Sequence, residues 1–152
     1  GMLKAGITVS LGTDGCASNN NLDLLGEMDT AAKLHKVATG DPTALDATRV
    51  LKMATVDGAR AIGLADRIGS LEIGKQADMV VLDTHAPRLT PMYHPESHIV
   101  YAAGGADVRH VLVAGRQMVR DRQLLTIDIE AVIDRVNRIA HDIRPDLNII
   151  QS

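Results

Sequence analysis

Hydrophobic and polar positions alternate near the start of the chain. Ile7, Val9 and Leu11 are separated by Thr8 and Ser10, a period of two that predicts a short β-strand. The run stops at Gly12-Thr13-Asp14-Gly15, where two glycines flank one carboxylate and permit a sharp, closely approachable turn. Ser18 to Asn21 are suitable N-cap residues for the next element. The period then lengthens. Leu22, Leu25, Met28, Ala32 and Leu34 recur near helical spacing, with Asp23, Glu27, Lys33 and Lys36 between them, so an amphipathic helix is expected from Leu22 to about Val37. Thr39-Gly40-Asp41-Pro42 ends it. Asp46 is placed to cap a second helix through Val50, Leu51 and Ala54, and Thr55 opens a third, Val56 to Ile62, closed by Gly63.

Beyond Asp66 to Gly69, where we expect the one domain boundary, the pattern favours strands. Met79 to Leu82 is continuously apolar and reads as a buried strand. Asp78 and Asp83 flank it as turn-capping or solvent-facing carboxylates. Thr84 to Pro95 holds three of the five prolines and reads as a loop. His98 to Ala102 is expected to be a short strand. Val108, Val111 and Val113 begin another, which the two-residue turn Ala114-Gly115 joins to Gln117–Val119 as a hairpin. Asp121-Arg122 turns again toward Leu124-Leu125. Asp128 caps a last helix with Ile129, Val132, Ile133, Val136 and Ile139 on one face. Arg135, Arg138 and Arg144 lie toward its C-terminal half, where cations suit the helix dipole.

Composition narrows the function classes. The chain has 152 residues, no Phe, no Trp and two Tyr, so its core is aliphatic and base-stacking platforms are nearly ruled out. The net charge is −3 with no basic cluster, and no nucleic-acid partner is expected. No apolar run is long enough to span a membrane, and no signal peptide is visible. The single Cys16 cannot form an internal disulfide and suits a reducing, cytoplasmic setting. Two residues from Asp14, it is expected to be a small buried residue beside the turn. His94 and His98 are four apart, but Pro95 lies between them, so they read as loop histidines and not as a metal pair. His110 and His141 show no companion carboxylate at suggestive spacing.

On spacing alone, an Asp between two glycines is more often a turn residue or helix cap than a ligand. Resemblance changes that balance. I-T-V-S-L-G-T-D-G-C-A-S-N-N-N-L-D-L-L-G-E-M resembles the eighth barrel strand and following helix of the amidohydrolase superfamily. Within it, the likeness is strongest to the branch of methylthioadenosine/S-adenosylhomocysteine deaminases and triazine chlorohydrolases. G-S-L-E-I-G-K-Q-A-D-M-V-V-L-D resembles the family segment that leaves the barrel for a small β-sandwich, and D-A-T-R-V-L-K-M-A-T-V-D-G-A-R-A-I-G-L resembles its helical packing tail. V-R-H-V-L-V-A-G-R-Q-M-V-R-D-R-Q-L-L resembles the closing sandwich strands. The resemblance implies an α/β fold. Residues 1–66 would be the end of a (β/α)₈ TIM barrel with its helical tail, 67–127 a β-sandwich remnant, and 128–152 a C-terminal helix and tail.

It also implies chemistry. Asp14 matches the strand-end aspartate that binds the catalytic metal and handles a proton of the attacking water, and Ser18 and Asn19 would border the substrate pocket. In the family a divalent metal, zinc or iron, lowers the pKa of that water. The other ligands are a His-x-His on the first strand and histidines on the fifth and sixth, with a Glu near the fifth shuttling protons. This sequence supplies the Asp and has no His-x-His. A whole barrel needs roughly 250 residues. The expectation is therefore the C-terminal part of a metal-dependent hydrolase acting on a small molecule, by resemblance an aminopurine nucleoside deaminase. Alternatives are a triazine chlorohydrolase, a guanine or cytosine deaminase, or a non-catalytic oligomerising module. Gly1-Met2 runs directly into Leu3-Lys4, which fits a chain with no leader. Alone, the chain is expected to be inactive and to bind no metal. Its exposed strand edges and helix face are expected to drive a homodimer or an oligomer with exchanged elements.

Overall fold

Asp23 marks where the extended entry segment becomes helix. Its carboxylate accepts from the Leu25 N–H at 2.9 Å and starts α1 (Leu24–Thr39), which ends at Gly40 with φ 67°. Leu22, expected inside this helix, is exposed in the preceding loop. The computed structural model describes residues 1–147, with side chains through 144. The tail expected after the last helix, residues 148–152, lies outside the described residues. Asp46 caps α2 (Ala47–Ala54) by accepting from the Arg49 N–H at 2.8 Å, and α3 (Val56–Ala61) follows after Thr55.

These helices bury one small aliphatic core. Met28 and Ala32 of α1, Val50 of α2 and Val100 are all buried, with Leu25, Leu51, Ile99 and Tyr101 packed around them. Val100 corrects the expected strand at His98 to Ala102. That stretch belongs to helix α4 (Pro95–Tyr101), which packs on α1 and α2. Pro95 stands in its first turn, where a missing N–H costs little, and Glu96 suits the dipole there. Burial of Val100 overrides the strand preference of the β-branched pair Ile99-Val100. Lys36 fastens the layer. Its Nζ donates to the carbonyls of Ala44 (2.9 Å) and Leu45 (3.1 Å) and to the Tyr101 hydroxyl (3.1 Å).

After α3 the chain doubles back through Gly69, whose φ is 93°. A Cβ there would lie 2.6 Å from the Ala59 Cβ of α3, so only glycine fits this crossing. The strands β1 (Met79–Leu82), β2 (Val108–Val113), β3 (Arg116–Arg120) and β4 (Gln123–Leu124) then form one antiparallel sheet in sequence order. Ala114 (φ 50°) and Gly115 (φ 79°) make the left-handed two-residue turn that matches strand twist. Asp78 and Asp83 are turn-binding carboxylates: Asp78 accepts from the Ala114 N–H at 2.6 Å and Asp83 from the His85 N–H at 3.1 Å. Arg88 pairs with the buried Asp107 at 2.5 Å, just before β2.

Three expectations change here. β1 is not buried: it is an edge strand, with Val80 60% and Val81 43% exposed. Residues 7–11, expected to be a strand, carry no regular secondary structure and lie in no sheet. Among the described residues no strand stands beside them; the Ile7 N–H bonds the Met2 carbonyl at 3.1 Å and the Leu11 N–H the Met53 carbonyl at 3.3 Å. His110 and His141 do have carboxylate neighbours, Asp121 at 3.8 Å and Asp142 at 3.5 Å. The first arises across the sheet, between residues 11 apart in sequence, which is not a suggestive ligand spacing.

Helix α5 (Ile129–Leu147) starts at Asp128, which accepts from the Ala131 N–H at 3.1 Å. Its apolar stripe is present but about half exposed. Ile129, Val132, Ile133, Val136, Ile139 and Ile143 are between 43% and 56% exposed. Among the described residues no helix is long and apolar enough to cross a membrane.

Candidate functional site

The turn after the extended segment is built around one carbonyl. Gly15 O accepts from the Ser18 N–H (3.0 Å), the Asn19 N–H (2.9 Å) and the Ser18 hydroxyl (3.1 Å), closing residues 15–19 into a tight loop. Asp14, just before it, adopts φ 58°. This left-handed conformation is rare for residues with a side chain, and Asp and Asn tolerate it best. Asp14 is exposed. Its Oδ1 accepts from the Gly15 N–H at 2.8 Å. Among the described residues its Oδ2 accepts no hydrogen bond.

The Ser18 hydroxyl beside it and the Gly15 N–H hold the Asp14 carboxyl below its ordinary range. The same hydroxyl lies 3.1 Å from the Gly15 carbonyl oxygen. The result is an exposed carboxylate that is charged at neutral pH.

Asn19 is turned inward. Its Nδ2 donates to the Thr13 carbonyl (2.9 Å) and to Glu27 Oε1 (2.8 Å), and its Oδ1 accepts from the Asn21 N–H (3.0 Å). Both polar atoms of its side chain are therefore engaged by the loop and by α1. Ser18 faces solvent beside Asp14. Cys16, expected to be buried, is exposed, because the turn carries it outward.

Sequence reasoning passed over two residues. Glu27 read as a polar spacer of α1, yet it holds Asn19. Asp23 also read as a spacer, yet its second oxygen accepts from the Gly105 N–H at 2.8 Å and ties the head of α1 to the sheet region. Pairings 8 and 82 residues apart carry no periodic signal.

The donor set fits one position of a metal centre. Asp14 is an exposed, ionised oxygen donor on a constrained turn, a group that hard or borderline cations accept. Among the described residues no three His, Cys, Asp or Glu side chains converge to hold an ion. His94 precedes the first turn of α4, and the His98 Nδ1 is 3.0 Å from the His94 carbonyl.

The profile of the Amidohydrolase family matches residues 1–118. A 5-methylthioadenosine/S-adenosylhomocysteine deaminase of Syntrophobacter fumaroxidans is 57% identical over 144 residues, 95% of this chain and 33% of that protein. A 5'-deoxyadenosine deaminase of Methanosarcina mazei is 49% identical over 147 residues, 97% of this chain and 34% of its own length. Among solved structures, an adenosine deaminase from Xanthomonas campestris with bound zinc superimposes with a TM-score of 0.90 at 44% identity. It covers 94% of this chain, which spans 33% of that one. An atrazine chlorohydrolase from Arthrobacter aurescens, complexed with zinc, gives 0.78 at 31% identity over 90% of this chain and 30% of its own. The chain thus spans about a third of the length of the curated relatives it matches.

Proposed function

The chain belongs to the amidohydrolase family, and from that premise we propose that it is the C-terminal third of a metal-dependent hydrolase. The reaction is hydrolytic deamination of an aminopurine nucleoside of the methylthioadenosine or S-adenosylhomocysteine type. The observation that carries this is the Asp14 turn, an exposed ionised carboxylate just after the Ile7 to Leu11 segment, in a chain about half identical to proteins named as such deaminases. Identity to the atrazine chlorohydrolase is lower, which favours the deaminase over the chlorohydrolase.

Asp14 would supply one metal ligand, and the histidine ligands would come from the part of the longer polypeptide outside this sequence. A bound divalent ion, zinc or iron, supplies the acidity that makes a water nucleophilic at neutral pH. This chain's own contribution is to keep the Asp14 carboxylate ionised and exposed, as an oxygen donor to a cation must be. Ser18 and Asn19 border the pocket. One carboxylate cannot grip a metal tightly, so the chain alone is inactive.

Residues 1–66 are the end of the barrel, 67–127 the sandwich remnant and 128–152 the C-terminal helix and tail. The unpaired extended segment and the single sheet support this division. A second reading, a non-catalytic module that forms a homodimer or exchanges elements, is favoured by the bare stripe of α5. We place the protein in the cytoplasm.

The test uses the longer polypeptide. It should hold stoichiometric zinc or iron and release ammonia from methylthioadenosine or S-adenosylhomocysteine. Asp14→Asn should cost more than about 100-fold in turnover, because even a residue one shell beyond a ligand costs about 10–100-fold. Full turnover in that variant, or metal and turnover in the 152-residue chain alone, refutes the proposal.

A further inference from the structure

A side chain at φ 58° on an exposed turn needs external support, since conformations of this kind persist only where their surroundings over-determine them. Asp14 has no packing of its own to supply it. The support runs from the next element. Glu27 lies in the first turn of α1, beside the buried Met28, on a helix anchored in the core. Its Oε1 accepts from Asn19 Nδ2 at 2.8 Å. The other hydrogen of the same amide reaches the Thr13 carbonyl at 2.9 Å. That carbonyl belongs to the peptide unit joining Thr13 to Asp14. A further bond, Asn21 N–H to Asn19 Oδ1 at 3.0 Å, stops the amide from rotating.

We infer that Glu27 and Asn19 form a clamp that sets the position of Asp14 from helix α1, and that Asn19 serves the site as a positioning residue. The inference rests on the reading of Asp14 as the working carboxylate. The two fail separately, as the last experiment shows. The clamp is a relay of two hydrogen bonds. A carboxylate acceptor strengthens the outer one, and the amide, with both hydrogens and its oxygen engaged, cannot be replaced by Asp without losing both donors. Glu27 is half-buried, so the outer bond is partly shielded from competing water.

The experiment compares Glu27→Ala, Glu27→Gln and Asn19→Ala in the 152-residue chain, using amide hydrogen exchange at Ser18, Asn19 and Asn21. Glu27→Ala should speed exchange at those amides about fivefold, the loss of roughly one hydrogen bond. Glu27→Gln keeps the acceptor oxygen and loses the charge, so it should restore the protection. Asn19→Ala should loosen the same loop without touching α1, which guards against a variant that merely unfolds the helix. Unchanged exchange in Glu27→Ala, or equal effects from Ala and Gln, overturn the clamp. Zinc content of the longer polypeptide carrying Glu27→Ala separates the two readings. A loosened loop with zinc lost supports both. A loosened loop with zinc intact leaves the clamp standing and removes Asp14 from the metal.

Discussion

Gly69→Ala is the sharpest test of how the helical layer meets the sheet region. The residue sits at φ 93°, where an alanine is strained by about 1–2 kcal/mol on backbone grounds alone. Its Cβ would also stand 2.6 Å from the Ala59 Cβ and 3.2 Å from both the Thr55 carbonyl oxygen and the Val56 Cα. Carbon pairs prefer about 3.5–4.0 Å, and forcing extra atoms into a packed contact costs typically about 1–3 kcal/mol. The sum is about 3 kcal/mol, a large share of the roughly 5–15 kcal/mol that holds a typical domain together. Urea unfolding followed by circular dichroism measures it.

The double variant Ala59→Gly/Gly69→Ala discriminates the cause. It removes the shortest contact and leaves the two at 3.2 Å. Glycine within α3 costs about 1 kcal/mol by itself. If the clash is real, the double variant is more stable than the sum of the two single changes predicts, by about 1–2 kcal/mol. Additive losses, or a Gly69→Ala protein within about 0.5 kcal/mol of the parent, refute the reasoning.

Two further outcomes follow from the ion pairs. Asp57→Asn should destabilise by about 2 kcal/mol in the same assay, because the buried Asp57 carboxylate meets Arg60 at 2.6 Å and Arg49 at 2.7 Å. The loss stays below the 3–5 kcal/mol of a wholly buried pair, since both guanidiniums can turn to solvent, and a change under about 0.5 kcal/mol contradicts this. The His85 N–H, followed by Arg122 at 3.0 Å, holds the Asp83 carboxyl down to about 2 from its ordinary 3.8. A folded-state pKa lowered in this way adds stability above the unfolded value and loses it as pH falls from about 4 through about 2. The stability gap between the parent and Asp83→Asn should therefore close across that window, and a gap independent of pH rules the linkage out.

The helices α1, α2 and α3 were legible because their signals are local. Asp46, the 3.6-residue period through Met28 and Ala32, and the Gly40 and Gly63 stops all act within one turn. The hairpin at Ala114-Gly115 was legible for the same reason. What escaped depends on distant partners. The stretch at His98 to Ala102 has strand-forming residues, and only the pocket for Val100 between α1 and α2 makes it helical. The apolar run Met79 to Leu82 implies cover on both faces, yet that cover is absent among the described residues. Asp14 stood out because two glycines flank it, whereas the link from Glu27 through Asn19 to Thr13 is visible only in three dimensions.

The bare stripe of α5 has a consequence for how that segment behaves. A helix of 19 residues is about 28 Å long and sits only a little above the length at which isolated helices become marginal in water. With its isoleucines and valines about half exposed, its order leans on the helix–coil balance of its own ladder and the Asp128 cap. Apolar surface settling on the stripe tips that balance toward helix, and withdrawing it lets the segment fray. The C-terminal stretch thereby turns contact along one face into a change of helix content.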